Sequence, residues 1–362
     1  MQHLIVYLLS ILFGVICFAS NAQALVVLQY HHIDNETPAA TSITPERFRE
    51  HLAFLEQQHF RVIAITELPA LLKAAKPSGS LPDRTAVITF DDGYSSIYEQ
   101  AFPLLKARNW PFTVFVNSKP HDQKNPQYAS WKQLREMAAE GATIANHSDS
   151  HQHMIRRLDG ESAKQWLARQ THEIEFTEQR IRKEIGGPAA PFFAYPFGEY
   201  NNELVALLES KGYLGFTQIS GPIAANSSPQ LLPRFVFGGP YGRPQDFADK
   251  VMSLPFPLLD VLVSDEAGRP LNGSELPPAV TVPRLQLQSP ILRLVRAAQC
   301  FASGQGQLAV ALGGSSLTTK ANRPLSAGRS RYTCTAAAGG GRFYWYSTLF
   351  IRRKDDGGWY SE

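Results

Sequence analysis

Cysteine is scarce in this chain: three residues in 362, one of them, Cys17, inside an apolar opening segment. A cysteine-built metal centre is thereby excluded, and any metal must be held by histidine and carboxylate. Histidine is itself absent after His172. Beyond the opening segment no apolar run reaches the roughly 20 residues that span a bilayer as a helix, which excludes a chain that crosses the membrane repeatedly as helices. There is no internal repeat or low-complexity stretch, and no basic helix or aromatic-basic motif of the kind that binds nucleic acid, so nucleic acid is not an expected partner. What remains, at 44% hydrophobic and 19% charged residues, is the composition of a globular protein long enough for two domains.

Residues 1–24 hold an apolar core over 4–18 and finish in Ala22-Gln23-Ala24, the small-x-small pattern cut by signal peptidase. The reading is a signal peptide with the mature chain starting near Leu25. The segment has no Lys or Arg at its start, so an uncleaved N-terminal membrane anchor is the competing reading. Ile16 before Cys17 is too large for a lipoprotein cleavage site. Removing the leader leaves Cys300 and Cys334, an even pair in an exported, periplasmic or extracellular chain, and a disulfide is expected. Charge is uneven: residues 265–362 carry 12 Lys and Arg against 6 Asp and Glu, while 25–264 carry 23 against 26. A basic tail on an exported protein suits an acidic or mixed cell-surface polymer, though it equally describes a solvated face.

The stretch that organises the chain is AVITFDDG, residues 86–93. Its apolar run suits a buried parallel strand, and Gly93 ends it, so Asp91 and Asp92 emerge at the carboxyl end, where α/β folds place their ligands. Adjacent carboxylates repel, and holding both at a sheet edge calls for a cation. NHSDSH supplies His147 and His151 behind a second strand-like run at 142–145. One Asp and two His make an open zinc-type site. Singly, Asp-Asp-Gly is usually a turn and HxxxH usually surface chemistry. Together and in this order they resemble the polysaccharide deacetylases, carbohydrate esterase family 4, which share the homology domain of the nodulation chitooligosaccharide deacetylases. A proline-aromatic-glycine turn in FAYPFGEY, residues 193–200, resembles a third motif of that family.

Strand and helix patterns alternate along the first two thirds of the chain. Strands are expected at 25–30, 61–65, 86–90, 112–116, 142–145, 192–195, 216–219 and 232–237, and helices at 45–58, 68–75, 94–108, 130–141, 161–183, 201–211 and 246–252, with 119–128 a loop. Some seven βα units predict a distorted (β/α) barrel over 25–254, its site at the strands' carboxyl ends. From Pro255 prolines and short alternating runs take over, predicting a small all-β sandwich domain over 255–362. Strands are expected there at 258–263, 284–287, 292–301, 307–312, 331–335 and 343–351. Cys300 and Cys334 could staple facing sheets, and the aromatics of Phe343-Tyr344-Trp345-Tyr346 alternate across a strand, one half packed inside and the other facing out, there either to stack on sugar rings or, on an equal footing, to serve the core or the contact with the first domain.

The family resemblance implies N-deacetylation of an N-acetyl sugar polymer, with Asp91 as catalytic base and Asp92, His147 and His151 holding a divalent metal, Zn²⁺ or else Co²⁺ or Ni²⁺. The backbone N–H of Phe197 would face the oxyanion, with Tyr195 beside it at the substrate. The family's third motif commonly carries an Arg where this chain has Ala194, so Arg234 is the candidate to orient Asp91, a surface ion pair being its simpler explanation. The family's late histidine is missing too, and the proton donor has to come from elsewhere. These departures resemble a branch, the exported poly-β-1,6-N-acetylglucosamine deacetylases, in which the barrel is circularly permuted and the acid follows the first strand. VLQYHHI, residues 27–33, then implies His31 as the acid, with His32 pointing away and His153 next in line. The implied partner is an N-acetylglucosamine-containing polysaccharide, with membrane-associated export machinery. A chitin- or peptidoglycan-type substrate, or a non-catalytic glycan-binding protein on the same fold, stands as the alternative.

Overall fold

The computed structural model describes residues 24–187 and 190–361, so the leader reading, with Cys17, lies outside the described residues except at Ala24. Eight strands form one parallel sheet: β1 (Leu25–Tyr30), β2 (Arg61–Val62), β3 (Thr85–Phe90), β4 (Thr113–Val116), β5 (Thr143–Asn146), β6 (Phe192–Ala194), β7 (Leu214–Phe216) and β8 (Phe235–Val236). The spatial order is β8-β1-β3-β4-β5-β6-β7, with β2 beside the start of β3. The approach to β8 also bonds the far edge, because Leu232 donates to the Gly215 carbonyl at 2.8 Å and accepts from the Thr217 N–H at 2.9 Å. The sheet thus curls into a distorted barrel.

Side-chain alternation along each strand decides what lies inside. On β1, Val26, Leu28 and Tyr30 face outward onto Phe48, Leu52 and Leu55 of the helix Pro45–Gln57, while Leu25 and Val27 turn inward with Val87, Phe115 and Phe216. That helix begins where the sequence signals it, with the Thr44 hydroxyl accepting from Arg47 N–H and Pro45 in the first turn. The amino-terminal end of the barrel is filled by Ile63, Ile65, Leu68 and Leu72. Near the carboxyl ends of β1 and β3 the inward residues turn polar, at Gln29, Thr89 and Asp91, all fully buried.

Two further sheets follow: β9 (Leu254–Pro255), β12 (Gln299–Ala302), β13 (Gly306–Leu308), β16 (Gly328–Gly339) and β17 (Arg342–Arg352) form one, in the order β9-β17-β16-β12-β13, and β10 (Asp260–Ser264), β11 (Arg284–Gln288), β14 (Val310–Gly313) and β15 (Ser316–Lys320) the other, in the order β10-β11-β15-β14. They enclose a core of Leu285, Leu287 and Leu317 from one sheet against Cys300, Tyr332 and Phe350 from the other.

Several expectations change here. Cys300 and Cys334 are bonded, but they sit directly opposite one another on neighbouring strands of a single sheet, so the bridge does not staple facing sheets. Residues 292–301 are not one strand: Leu292–Ala297 is a helix, because the buried pair Leu294 and Val295 is adjacent and not alternating. Ser316–Lys320 is a strand that its polar sequence hid, with Leu317 and Thr319 inward. Within 119–128 there is a short helix, Ser118–Asp122. Of the tail aromatics, Trp345 packs edge-on to Phe235 of the barrel at 5.3 Å and Tyr344 lies near Phe256 at 6.2 Å, leaving Phe343 exposed.

Candidate active site

Asp91 continues the inward parity of β3 and ends in the lumen, fully buried. Charge buried this way must be paired. Arg234 supplies the partner, its guanidinium bonding both carboxylate oxygens, at 2.6 Å from Nη1 and 2.8 Å from Nη2. Far from forming a surface ion pair, Arg234 is itself fully buried, with Nε donating to the Thr217 carbonyl and the guanidinium 5.4 Å from the Phe115 ring centroid. Gln29 adds a third bond to Asp91 at 2.6 Å. Burial alone would raise the Asp91 carboxyl, but the Arg234 cation, with His147 and His31 close by, overrides it and lowers its pKa to about 2.

Alternation would send Asp92 outward. A left-handed backbone, φ 71° at Asp92 and 79° at Gly93, breaks the strand and swings the carboxylate into the mouth instead. Gly93 is required there, since a Cβ would come within 2.7 Å of His121 Nε2. Asp92 Oδ1 then lies 3.5 Å from His147 Nε2 and 3.4 Å from His151 Nε2. His147 donates Nδ1–H to the Ala194 carbonyl at 2.7 Å, which fixes the tautomer and leaves Nε2 as a lone pair facing inward. Burial holds His151 down to about 4, so it is neutral at physiological pH. The loop carrying it is held by Glu173, which accepts from the Asp149 and Ser150 N–H groups at 3.0 and 2.8 Å.

These three residues fit a metal. Asp92 Oδ1 and His147 Nε2 are buried without any hydrogen-bond partner, a cost the fold does not otherwise recover. The three ligating atoms fall within 4.8 Å of one another. Four ligands at zinc bond lengths sit roughly 3.3 Å apart around a tetrahedron, close to the two separations seen here.

His31 follows β1 on the inward parity and acts electrostatically on both Asp91 and His151, its Nδ1 buried with no partner. His32 turns aside and stacks on Tyr94 at 3.6 Å. Phe197 takes a left-handed φ of 58°, its ring 4.5 Å from His151 and stacked on His153 at 3.9 Å. Tyr195, expected near substrate, does not reach the site. Ala194 takes the inward position, so Tyr195 points outside the barrel, fully buried against Phe193 and Tyr200 with its hydroxyl on the Gln230 carbonyl.

Sequence reasoning missed Gln29, Glu173 and Glu199. Gln29 had a signal, being the one polar side chain inside the apolar strand LVVLQY. Glu173 had none, lying on a charged helix among many exposed acids. Glu199 lies in the quoted third motif, yet its partners come from residues 153, 329 and 360, a distance in sequence that no local pattern spans.

Residues 78–216 match the family described as polysaccharide deacetylase. The Escherichia coli (strain K12) poly-beta-1,6-N-acetyl-D-glucosamine N-deacetylase is 24% identical over 266 residues, covering 63% of this chain and 38% of that protein. Among solved structures, a Streptococcus pyogenes deacetylase in complex with acetate superposes with TM-score 0.55 at 20% identity, covering 63% of this chain and 98% of that one. IcaB from Ammonifex degensii superposes with TM-score 0.54 at 25% identity, covering 62% and 96%. Asp91, Asp92, His147 and His151, gathered at the mouth of the barrel, all lie within the stretch that matches the polysaccharide deacetylase family.

Proposed function

We propose that this protein removes N-acetyl groups from an exported N-acetylglucosamine polymer, with poly-β-1,6-N-acetylglucosamine as the substrate. The observation that carries the reading is the division of the paired carboxylates. Asp91 is locked in place by Arg234 and Gln29, whereas Asp92 turns a bare oxygen towards two histidines. One carboxylate is thereby suited to take a proton and the other to hold a cation. The substrate class is supported by the E. coli relative's name and by its counterparts in Staphylococcus aureus, 23% identical over 200 residues in strain MRSA252.

Asp92, His147 and His151 would hold the divalent metal, Zn²⁺ in first place. When bound, the ion polarises the acetyl carbonyl and makes water more acidic. The remaining roles fall to side chains and backbone. Asp91 stays ionised throughout the physiological range and is held by three hydrogen bonds, so its free lone pair meets water in one orientation and accepts its proton. The oxygen of that water bonds to the acetyl carbon, and the backbone N–H at Phe197 faces the negative charge that develops on the carbonyl oxygen. His31 gives a proton to the nitrogen as the C–N bond breaks, releasing acetate and the amino sugar.

The test is acetate release from β-1,6- and β-1,4-linked N-acetylglucosamine oligomers, with and without added Zn²⁺ or Co²⁺. Metal-stimulated release from the β-1,6 series is expected. Faster release from β-1,4 oligomers would move the substrate to a chitin or peptidoglycan type. No acetate from either, with oligomers still bound, would make the protein a glycan-binding module.

A further inference from the structure

Phe197 holds a left-handed backbone conformation, φ 58°, that non-glycine residues rarely adopt, and such strain persists only where the surroundings over-determine it. The surroundings here come from both parts of the molecule. The His153 ring lies parallel to Phe197 on one side, 10° between planes, and the Arg329 guanidinium carbon is 5.4 Å from the same ring. Two residues on, the Glu199 side chain is fully buried. It accepts from His153 Nδ1 at 2.8 Å, from Arg329 Nη1 at 3.3 Å and from the Tyr360 hydroxyl. Arg329 belongs to β16, and Tyr360 to the tail that follows β17. Without the C-terminal sheets, this buried carboxylate would lose both of those partners.

The same tail also grips the loop of the metal-site histidines. Arg156, five residues past His151, lies over Tyr360 at 4.8 Å and over Trp359 at 5.3 Å. The contact is core-like in character: Leu349, Ile351 and Tyr360 share one buried apolar cluster with Phe193, Tyr195 and Tyr200 of the barrel. Ser274 Oγ caps the Tyr200 carbonyl at 2.5 Å. A sugar-binding module on a tether would have neither feature.

We propose that the C-terminal sheets are a working part of the active site, with Arg329 and Tyr360 as positioning residues that act through Glu199 and His153 to hold the Phe197 turn. The proposal rests on the deacetylase reading for its catalytic consequence and on geometry alone for the clamp itself, so two readouts separate them. In the full-length, metal-loaded protein, Tyr360→Phe and Arg329→Gln are expected to lower kcat for acetate release by about ten- to a hundredfold. The KM for oligomer should stay within about twofold, since the lost interaction orients the reacting centre and does not bind the chain. Metal content should be unchanged, and Arg329→Lys should restore part of the rate by returning a cation to Glu199. Tyr360→Phe keeps the ring and its packing, so it folds even where an Arg329 variant does not. Independently of substrate, amide hydrogen exchange over residues 195–200 should accelerate in Tyr360→Phe while the thermal midpoint barely moves. Unchanged kcat and exchange, or a rise in KM alone, would overturn the proposal. Accelerated exchange in a protein whose wild type releases no acetate would uphold the clamp and refute the deacetylase reading instead.

Discussion

Replacing Arg234 with methionine removes the guanidinium from a fully buried ion pair and leaves Asp91 facing Gln29 alone among its side-chain bonds. Breaking one side of such a pair typically costs ~3–5 kcal/mol, because the remaining charge is neither solvated nor paired. At ~2–4 °C per kcal/mol for a domain of this size, the unfolding midpoint should fall by ~6–20 °C. The pH dependence carries the sharper signature. In the wild type the Asp91 pKa is depressed to about 2, so its contribution, roughly 2–3 kcal/mol, is fully present above pH ~4 and is lost as pH falls towards 2. In Arg234→Met the burial that already opposes ionisation is no longer outweighed, and the carboxyl pKa rises above its unfolded value. A raised pKa favours the folded state as the group protonates, so the variant's deficit relative to wild type should shrink as pH is lowered from 7 to 4. Activity should fall at least about a hundredfold, since the base is then partly protonated and no longer oriented. Paired urea titrations at pH 7 and pH 4.5, with acetate release at pH 7, measure all three. A deficit under about 1 kcal/mol, the size of an exposed pair, or one that grows on acidification would refute the reasoning.

Other consequences can be checked with the same protein. Asp92→Ala, His147→Ala and His151→Ala should lose metal and activity together, while Asp91→Asn keeps the metal and loses turnover; metal analysis showing Asp91→Asn to be metal-free would sink that division. His31→Ala should keep metal and oligomer binding but deacetylate at least about a hundredfold more slowly, with His32→Ala milder; a near wild-type rate would pass the acid role to His153. Gly93→Ala should be destabilised and metal-poor, because its Cβ would meet His121 Nε2 at 2.7 Å in a left-handed turn, and an unperturbed midpoint would show that His121 simply moves aside. Reducing Cys300–Cys334, which closes a separation of 34 residues, should cost roughly 3–4 kcal/mol in the chain-entropy view, read as a lower thermal midpoint in reductant; two free thiols in the denatured, unreduced protein would rule the bridge out.

Local pattern was enough for the βα rhythm, for the first barrel strand at Leu25–Tyr30, and for the helix of Pro45–Gln57, because apolar periodicity, a threonine cap and a first-turn proline act within a few residues of one another. It was also enough to single out Asp91, Asp92, His147 and His151, whose residue types and positions after strand-like runs are written in short motifs. Pattern failed where partners are distant or where polarity misleads. Ser316–Lys320 reads as a loop until Leu317 and Thr319 are seen to face a sheet, and the disulfide's place within one sheet depends on a register that no spacing encodes. Tyr195 and Ala194 are equally eligible in the linear motif, and only the side of the strand each occupies decides between them. Tertiary structure alone decided that Arg234 pairs with Asp91, since closing the barrel at Leu232 aims the next inward side chain at it. It alone decided that Glu199 is shared between two parts of the chain. Such contacts arise from closure and from packing of one element on another, and a sequence read residue by residue contains neither.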